Sequence, residues 1–257
     1  MSQSFSETIS HRFKNWRRYA LVLGLPLWAF LGFILAQALV FALIAVLQAL
    51  KVPVENVNQA MLSTILAAAI YTVSVGLVLM VPWWVKRRPT TIKDLGLTAS
   101  PSGLDFLWAP AGYVVYAIAS VLVMALATIV LPFVDFQQVQ QTGFNGITQQ
   151  YELILAFVSL VVVAPVAEEV LFRGYLLGKL RKRAPLWIAI LVTSLTFAIV
   201  HFAWNVGIDV FVLSIVLCVL RVMTGTLWAP IMLHMLKNGI AFYFLFINPT
   251  LIGTLGG

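Results

Sequence analysis

The stretch YALVLGLPLWAFLGFILAQALVFALIAVLQAL, residues 19–50, contains no charged side chain. A helix needs about 20 mostly apolar residues to cross a bilayer, and this run exceeds that length. Similar runs recur through the 257 residues, of which 61% are hydrophobic and 10% are charged, with a mean hydropathy of +0.99. Soluble domains carry about 25% charged residues. The composition therefore excludes a water-soluble globular protein, and the single cysteine excludes an internal disulfide framework.

The apolar runs predict an all-α fold, a polytopic membrane helix bundle with about seven transmembrane helices. The first run, Tyr19–Leu50, is too long for the apolar region of a cleaved signal peptide. The others are about Ala60–Val85, about Leu104–Val134, and four that begin near Tyr151, at Pro185, at Gly207 and near Thr226. Because the last 25 residues are hard to divide, the expected range is six to eight helices.

Basic residues lie in alternate loops between these runs, as the positive-inside rule describes for cytoplasmic loops. They are Arg12, Lys14, Arg17, Arg18, Lys86, Arg87, Arg88, Lys93, Lys179, Arg181, Lys182, Arg183 and Arg221. The rule predicts a cytoplasmic N-terminal segment, 1–18, followed by a single membrane domain, 19–257, whose C-terminus lies outside. The glutamine-rich stretch Asp135–Gln150 is expected to be a surface or re-entrant segment. Because lipid and loop positions account for the net charge of +7, nucleic acid is not expected as a partner.

A small set of ionisable residues falls inside the predicted spans, where each charge costs about 2.5–3.5 kcal/mol on insertion scales. The set comprises Glu168, Glu169, Arg173, His201, His234 and Lys237. At a rise of 1.5 Å per residue, Glu168 lies about 18 Å from the end of its span, His201 about 24 Å along the next one and His234 about 12 Å along the last. Three helices thus carry polar groups to the middle of the bilayer, which predicts a shared polar site.

The spacing of these residues indicates how they could be arranged. Glu169 and Arg173 are four apart, so they share a helix face and can form an ion pair. Glu168 projects about 100° away and can face a separate cavity. His234 and Asn238 are also four apart. Each residue alone has a structural explanation, as an ion-pair clamp or as a hydrogen bond between helices, but packing does not readily explain the whole set.

A carboxylate and an imidazole around a water molecule are the groups that hydrolysis requires, because one accepts the proton while the other orients the nucleophile. A second histidine and an asparagine can donate hydrogen bonds to the developing oxyanion. The sequence contains no Gly-x-Ser-x-Gly or His-Glu-x-x-His motif. Cys218 has no ionisable neighbour in sequence and is interpreted as a packing thiol.

At these residues the chain resembles the CPBP family, which comprises CAAX proteases and bacteriocin-processing enzymes and is also called the Abi family. Glu168–Gly174, EEVLFRG, is similar to the Glu-Glu-x-x-x-Arg motif of that family. Phe197–His201, FAIVH, matches its Phe-x-x-x-His motif, and His234–Asn238, HMLKN, matches its third motif. Order and spacing agree over about 151–247. The short stretch Asp94–Leu97 adds a weak similarity.

The resemblance implies an intramembrane endopeptidase of the type II CAAX prenyl protease kind, with its catalytic core at about 151–247. It implies an integral protein of the bacterial or archaeal plasma membrane that acts on a peptide or protein substrate in the lipid bilayer, with or without a lipid attached. Two alternatives stay open. One is a catalytically silent family member acting as an immunity or scaffold protein. The other is a small-solute transporter, although no inverted repeat is evident in the sequence.

The resemblance also implies a role for each motif residue. The implied roles are general base for Glu168 together with His201, oxyanion hole for His234 and Asn238, and support of the site by Glu169 and Arg173. Metal use is unresolved, since zinc could be held by His201, His234 and Glu168 as two histidines and one carboxylate. The metal-free mechanism is slightly favoured, so the expected cofactor is none or zinc. Lys237, inside the third motif, has no assigned role; it could snorkel or pair with a carboxylate.

Overall fold

The computed structural model describes residues 2–87, 89–98, 100–136, 138, 144 and 147–249, and for 2–19, Glu55 and Lys86 it describes the backbone alone. These residues form helices joined by short turns and include no strand. Six of the described helices are long and apolar enough to cross a membrane. The predicted all-α membrane helix bundle is therefore confirmed.

The described chain forms eight helices, five of which contain an internal proline or a wider π-type turn. They are α1 (Ser2–Ala49), α2 (Gln59–Lys86), α3 (Ile92–Leu95), α4 (Gly103–Val130), α5 (Gln150–Leu180), α6 (Leu186–Ile199), α7 (Trp204–Thr224) and α8 (Trp228–Ile247). Helix α1 continues through Pro26, so the predicted N-terminal segment is helical and runs directly into the first span. Helix α4 ends four residues before the predicted boundary at Val134, because Pro132 cannot continue it.

The predicted fifth span is shorter than expected. Helix α6 has 14 residues, a length of about 21 Å, which is less than the roughly 30 Å of a bilayer core. Thus six long helices, rather than the seven counted from the sequence, are present among the described residues. The helix ends before His201, and the chain then turns through Phe202, whose φ of 52° is left-handed. His201 therefore lies in a turn within the bundle and not inside the helix.

Helix α5 lies in the centre of the bundle and contacts α2, α6 and α8. The most apolar windows of α1, α2 and α4 are only 17%, 11% and 11% buried, against 33% for α5 and 44% for α7. In water such exposure of apolar helices would be unstable, but in a bilayer lipid covers these faces. The weakly buried helices form the outer layer, and α5 carries its polar residues into the protected interior.

The basic segments of the sequence lie at one end of the bundle. Lys182 Nζ is 3.3 Å from Asp94 Oδ1, and Arg221 donates to the carbonyl of Leu95 over 3.3 Å. The amide of Leu227, in the turn between α7 and α8, donates to the Gly96 carbonyl. This grouping is the one that the positive-inside rule requires, while the cytoplasmic N-terminus remains a prediction. Half of the stretch Asp135–Gln150 lies outside the described residues.

Candidate active site

The central turn of α5 carries two adjacent glutamates with different surroundings. This turn, Ala164–Glu169, is flanked by wider π-type turns at Val158–Val163 and Val170–Leu176. Such turns change the helical phase and are frequent at functional sites. The Glu169 side chain is completely buried, whereas that of Glu168 is 14% exposed. The helix therefore directs one carboxylate into the protein and the other towards an accessible space.

The buried carboxylate of Glu169 joins two of the motifs. Arg173 Nη1 donates to Glu169 Oε1 over 2.8 Å, which confirms the predicted ion pair. His234 Nδ1 lies 2.8 Å from the same oxygen. The Arg173 guanidinium also stacks 4.4 Å above the ring of Phe197. One arginine and one carboxylate thus connect α5 to α6 and α8, so that the three motifs pack against each other.

Glu168 is held by two side chains from other helices. The hydroxyl of Tyr71, on α2, donates to Glu168 Oε1 over 2.6 Å. His234 Nε2 lies 3.7 Å from the other oxygen, Oε2. A short bond from a hydroxyl to a carboxylate is of the stronger, charge-assisted kind. The carboxylate is therefore fixed in orientation, with Oε2 directed towards the histidine and the adjoining space.

His201 is oriented by the motif in which it lies. Its Nδ1 is 2.8 Å from the carbonyl oxygen of Phe197, and the two rings contact edge to face with centroids 4.9 Å apart. A carbonyl can only accept, so Nδ1 carries the proton in this bond and Nε2 of the neutral ring is left as an acceptor. This arrangement suits a group that orients a water molecule or accepts its proton.

Asn238 bridges α8 and the first π-type turn of α5. Its Nδ2 donates to the carbonyl oxygen of Leu160 over 2.9 Å. Wide turns leave backbone carbonyls available, and this amide satisfies one of them. A side-chain amide has two N–H donors, so the second remains to serve a ligand in the adjacent space.

These side chains surround one pocket with about 190 Å³ available to water-sized molecules. The polar lining residues are Tyr71, Glu168, His201, His234, Lys237 and Asn238. The other lining side chains are apolar and come from α5, α7 and α8. Of the six residues predicted from the sequence, four line this pocket, and the remaining pair, Glu169 and Arg173, lies directly behind His234.

The sequence reasoning did not identify two residues of this region. Tyr71 was treated as part of an apolar span, although a tyrosine far from the membrane surface, unlike those of the interfacial belts, signals a polar partner. The sixth span was expected to begin at Gly207, which placed Asp209 at the end of that span, next to the preceding loop. Helix α7 begins at Trp204 instead, so Asp209 lies inside the helix, where its Oδ2 is 3.5 Å from Lys237 Nζ. Lys237 therefore pairs with a carboxylate.

The residues present do not fit a zinc site. Among the described residues, no group of three or more His, Cys, Asp or Glu side chains is arranged to hold a metal ion. The ammonium group of Lys237 lines the same pocket, and its positive charge opposes the binding of a metal cation. A zinc ion held by His201, His234 and Glu168 is therefore not supported by this geometry.

Comparison with known proteins finds a match over the part of the chain that forms this site. Residues 150–240, which include all three motifs, match the family model "Type II CAAX prenyl endopeptidase Rce1-like". The resemblance found from the motifs is confirmed, since this region of the chain is similar to the Rce1-like type II CAAX prenyl endopeptidases. With six long apolar helices among its described residues, the protein is an integral membrane protein.

Two curated proteins are similar to part of the chain. An "Uncharacterized 24.3 kDa protein" of Escherichia coli is 33% identical over 89 residues, which cover 33% of this chain and 41% of the relative. The "Membrane-embedded CAAX protease MroQ" of Staphylococcus aureus (strain USA300) is 30% identical over 109 residues, covering 40% of this chain and 43% of the relative. The matches thus span less than half of either relative. No solved structure matches the chain.

Proposed function

We propose that the protein is a membrane-embedded endopeptidase that hydrolyses a peptide bond with water activated by Glu168 and His201. The observation that carries the proposal is the shared pocket, in which a fixed carboxylate and an oriented imidazole line the same space inside an apolar bundle. The family match and the name of the staphylococcal relative support the same reaction class.

In the proposed reaction, a water molecule lies between the carboxylate of Glu168 and Nε2 of His201. Glu168 takes a proton from the water while the water oxygen forms a bond to the peptide carbonyl carbon, and the electron pair of the carbonyl double bond moves to the carbonyl oxygen. The proton then passes to the leaving nitrogen as the carbon–nitrogen bond breaks. Tyr71 orients the carboxylate in this scheme, because its hydroxyl occupies Oε1 and leaves Oε2 for the water.

The oxyanion formed in this reaction would be stabilised from α8. Asn238 has one N–H donor beyond its bond to Leu160. His234 can donate from Nε2 in its imidazolium form, since Nδ1–H already donates to the carboxylate of Glu169. Glu169 and Arg173 then act as positioning residues that hold His234 in place. Oxyanion donors of this type typically contribute about 10²–10³ in kcat.

We further propose that the substrate is an apolar peptide or protein segment within the plasma membrane, with or without a lipid attached. A groove of about 440 Å³ lies between the end of α6 and the start of α7, beside the turn that carries His201. Its lining is almost wholly apolar and includes Ile199, Phe202 and Phe211. A hydrocarbon chain or an apolar peptide segment in the bilayer can occupy such a surface without loss of hydration.

The test compares membranes that contain the wild-type protein with membranes that contain Glu168→Gln or His201→Ala. Mass spectrometry of the released peptides is expected to show products from the wild type and a loss of about 10²–10⁴-fold in each variant. Glu152→Gln is the matched control, because Glu152 lies on the same helix but bonds to Asn58 far from the pocket. Equal product formation by Glu168→Gln and wild type would remove Glu168 from the reaction, and solute flux without cleavage would indicate a transporter instead.

A further inference from the structure

An apolar groove lies between α1 and α2, at the end of the bundle that carries the basic residues. It offers about 340 Å³ to water-sized molecules. Leu21, two residues after the start of the first apolar run, and Val85, the last apolar residue before Lys86, line one end of it. The groove shares no lining residue with the candidate active-site pocket, so the proposed hydrolysis does not account for it.

A proline and a glycine produce this groove. Pro82 has no N–H group, so the carbonyl oxygen of Val78, four residues earlier, has no donor within α2. Trp28 Nε1, on α1, donates to that oxygen over 3.2 Å, which places the indole at the end of the groove farther from the basic residues. Gly24 lines the groove one turn before Trp28, and a Cβ atom there would meet nothing within 4 Å. Space for a ligand is therefore left beside Gly24.

Helix α5 contributes an aromatic wall that ends in a basic residue. Tyr175 lines the groove and is 3% exposed. Lys179 follows it by four residues, about 6 Å along the helix towards the basic end of the bundle. The Lys179 Nζ lies 5.8 Å from the centroid of the Tyr175 ring. The groove therefore has an apolar length and a positive charge at one end.

Lys179 has no carboxylate partner within ion-pair distance in the part of the chain that the structure describes. None of the ion pairs between described residues includes it. Asp94 attracts Lys179 over a longer distance, but Asp94 Oδ1 is paired with Lys182 Nζ at 3.3 Å. Arg183, whose Nη1 donates to the Lys179 carbonyl oxygen over 2.7 Å, adds a second positive charge. The excess of positive charge beside the groove favours an anionic ligand.

We propose that an anionic phospholipid binds in this groove, with an acyl chain against Trp28 and Tyr175 and its phosphate group on Lys179. The groove extends over seven residues of α1, from Leu21 to Trp28, which is about 10 Å. It lies where the apolar runs end, so its basic end is at the level of the lipid headgroups. The inference does not depend on the proposed peptidase function.

The lining and the charge together favour a lipid over a soluble anion. Acyl chains of the adjoining leaflet reach the groove laterally, whereas a soluble anion would meet an almost wholly apolar lining. A headgroup with net negative charge is favoured over a zwitterionic one, because lysine and arginine side chains near the membrane surface attract anionic lipids. A lipid bound in this position would contact α1, α2 and α5 at once and would hold these three helices together.

The test measures lipid binding to the full chain in detergent by native mass spectrometry. Dioleoyl phosphatidylglycerol and dioleoyl phosphatidylcholine have the same acyl chains and differ in headgroup charge. The wild type is expected to bind the first phosphatidylglycerol about fivefold or more tightly than the first phosphatidylcholine. Glycerol phosphate, which has the charged group without acyl chains, should not displace the bound lipid when it is added in excess.

Two variants address the two ends of the ligand. Lys179→Gln should remove most of the preference for phosphatidylglycerol, whereas Lys179→Arg should keep it. Gly24→Leu places a side chain in the groove and should weaken the binding of both lipids severalfold; leucine has a better helix propensity than glycine, so this variant is expected to fold. Gly76→Leu is the matched control, because a Cβ atom at Gly76 also meets nothing within 4 Å and Gly76 does not line the groove.

Each outcome decides the proposal. Equal affinity of the wild type for the two lipids would overturn it, and this result needs no variant. Unchanged binding in Gly24→Leu would place the lipid elsewhere, and a preference that persists in Lys179→Gln would assign the headgroup to another cation; both results would overturn it. Displacement by glycerol phosphate would indicate a site for free phosphate and would overturn it as well. A preference that is lost in Lys179→Gln, with weaker binding in Gly24→Leu but not in Gly76→Leu, would support it.

Discussion

Tyr71 fixes the carboxylate of Glu168 through a single oxygen atom, and Tyr71→Phe removes that atom alone. The lost bond, 2.6 Å long, leaves the carboxylate free to rotate away from the bound water. We expect kcat for peptide cleavage to fall by about tenfold while KM changes little, because the hydroxyl acts on the reacting group and not on the substrate. Steady-state kinetics in detergent with a peptide cleaved by the wild type would measure both constants.

The control for this prediction is Tyr243→Phe, because Tyr243 also lies on a spanning helix but is 45% exposed on its outer surface. That variant should keep both constants. An unchanged kcat in Tyr71→Phe would show that Glu168 needs no hydroxyl to hold it. A rise in KM with constant kcat would instead place Tyr71 in contact with the substrate.

Residue spacing predicted contacts within a helix but not those between distant parts of the chain. The pair Glu169 and Arg173 could be predicted because four residues complete about one helical turn. The bond between Tyr71 and Glu168 joins residues 97 apart, and hydrophobic periodicity carries no information on which helices become neighbours. For the same reason, the sequence offered a carboxylate partner for Lys237 without identifying Asp209.

The short helix α3 connects the end of the bundle that carries the basic residues to α5, which contains the first motif. Thr91 and Asp94 form a reciprocal cap at its start. The pKa of Asp94 is lowered to about 2, mainly by the hydrogen bond from the Thr91 backbone, then by the bond from the Thr91 side chain and by the nearby charge of Lys182. Leu95 packs against Gly174 of the first motif. Gly96 ends the helix with a φ of 84°. The cap thus stabilises the four-residue helix α3, which packs against α5 at Gly174.

Gly96→Ala is expected to destabilise this junction. A left-handed conformation costs a non-glycine residue about 1–2 kcal/mol, and a Cβ atom here would lie too close to the Arg221 guanidinium, which donates to Leu95. We expect the free energy of unfolding to fall by at least that amount, measured by denaturant titration in detergent micelles.

Gly76→Ala is the companion variant to Gly96→Ala. Gly76 lies inside α2, and a Cβ atom there would meet nothing within 4 Å. Alanine has a helix propensity better than that of glycine by about 1 kcal/mol, so this variant should be neutral or stabilised. Equal stability of both variants would show that neither the left-handed backbone nor the Arg221 contact contributes to the junction.

Helix α6 shows which structural features composition leaves undetermined. The sequence from Pro185 to Trp204 is apolar throughout apart from His201 and a few hydroxyls, so a hydropathy window treats it as one span. The break after Ile199 arises from the left-handed turn at Phe202, which no proline or glycine announces. The six long helices among the described residues lie within the expected range of six to eight. His201 lies in a turn and not inside a continuous helix.

For the whole molecule, the charge pattern predicts an orientation that the bundle geometry alone cannot assign. The loops rich in lysine and arginine meet at one end, and the two ends differ mainly in this charge. Membrane insertion places loops rich in lysine and arginine on the cytoplasmic side, so the end that carries Asp94 and Lys182 should face the cytoplasm. Because the bundle geometry alone does not distinguish the two orientations, the sidedness requires its own experiment.

Single cysteines introduced at opposite ends would determine this orientation. The one native cysteine, Cys218, is fully buried and should not react with a membrane-impermeant maleimide in intact cells. Lys182→Cys should be labelled only after the membrane is permeabilised, whereas Val52→Cys, in the short turn between α1 and α2, should be labelled from outside. The reverse pattern would place the N-terminus outside. It would also mean that the thirteen basic residues of the alternate loops do not determine how this bundle is inserted, and that its orientation is fixed by another feature of the chain.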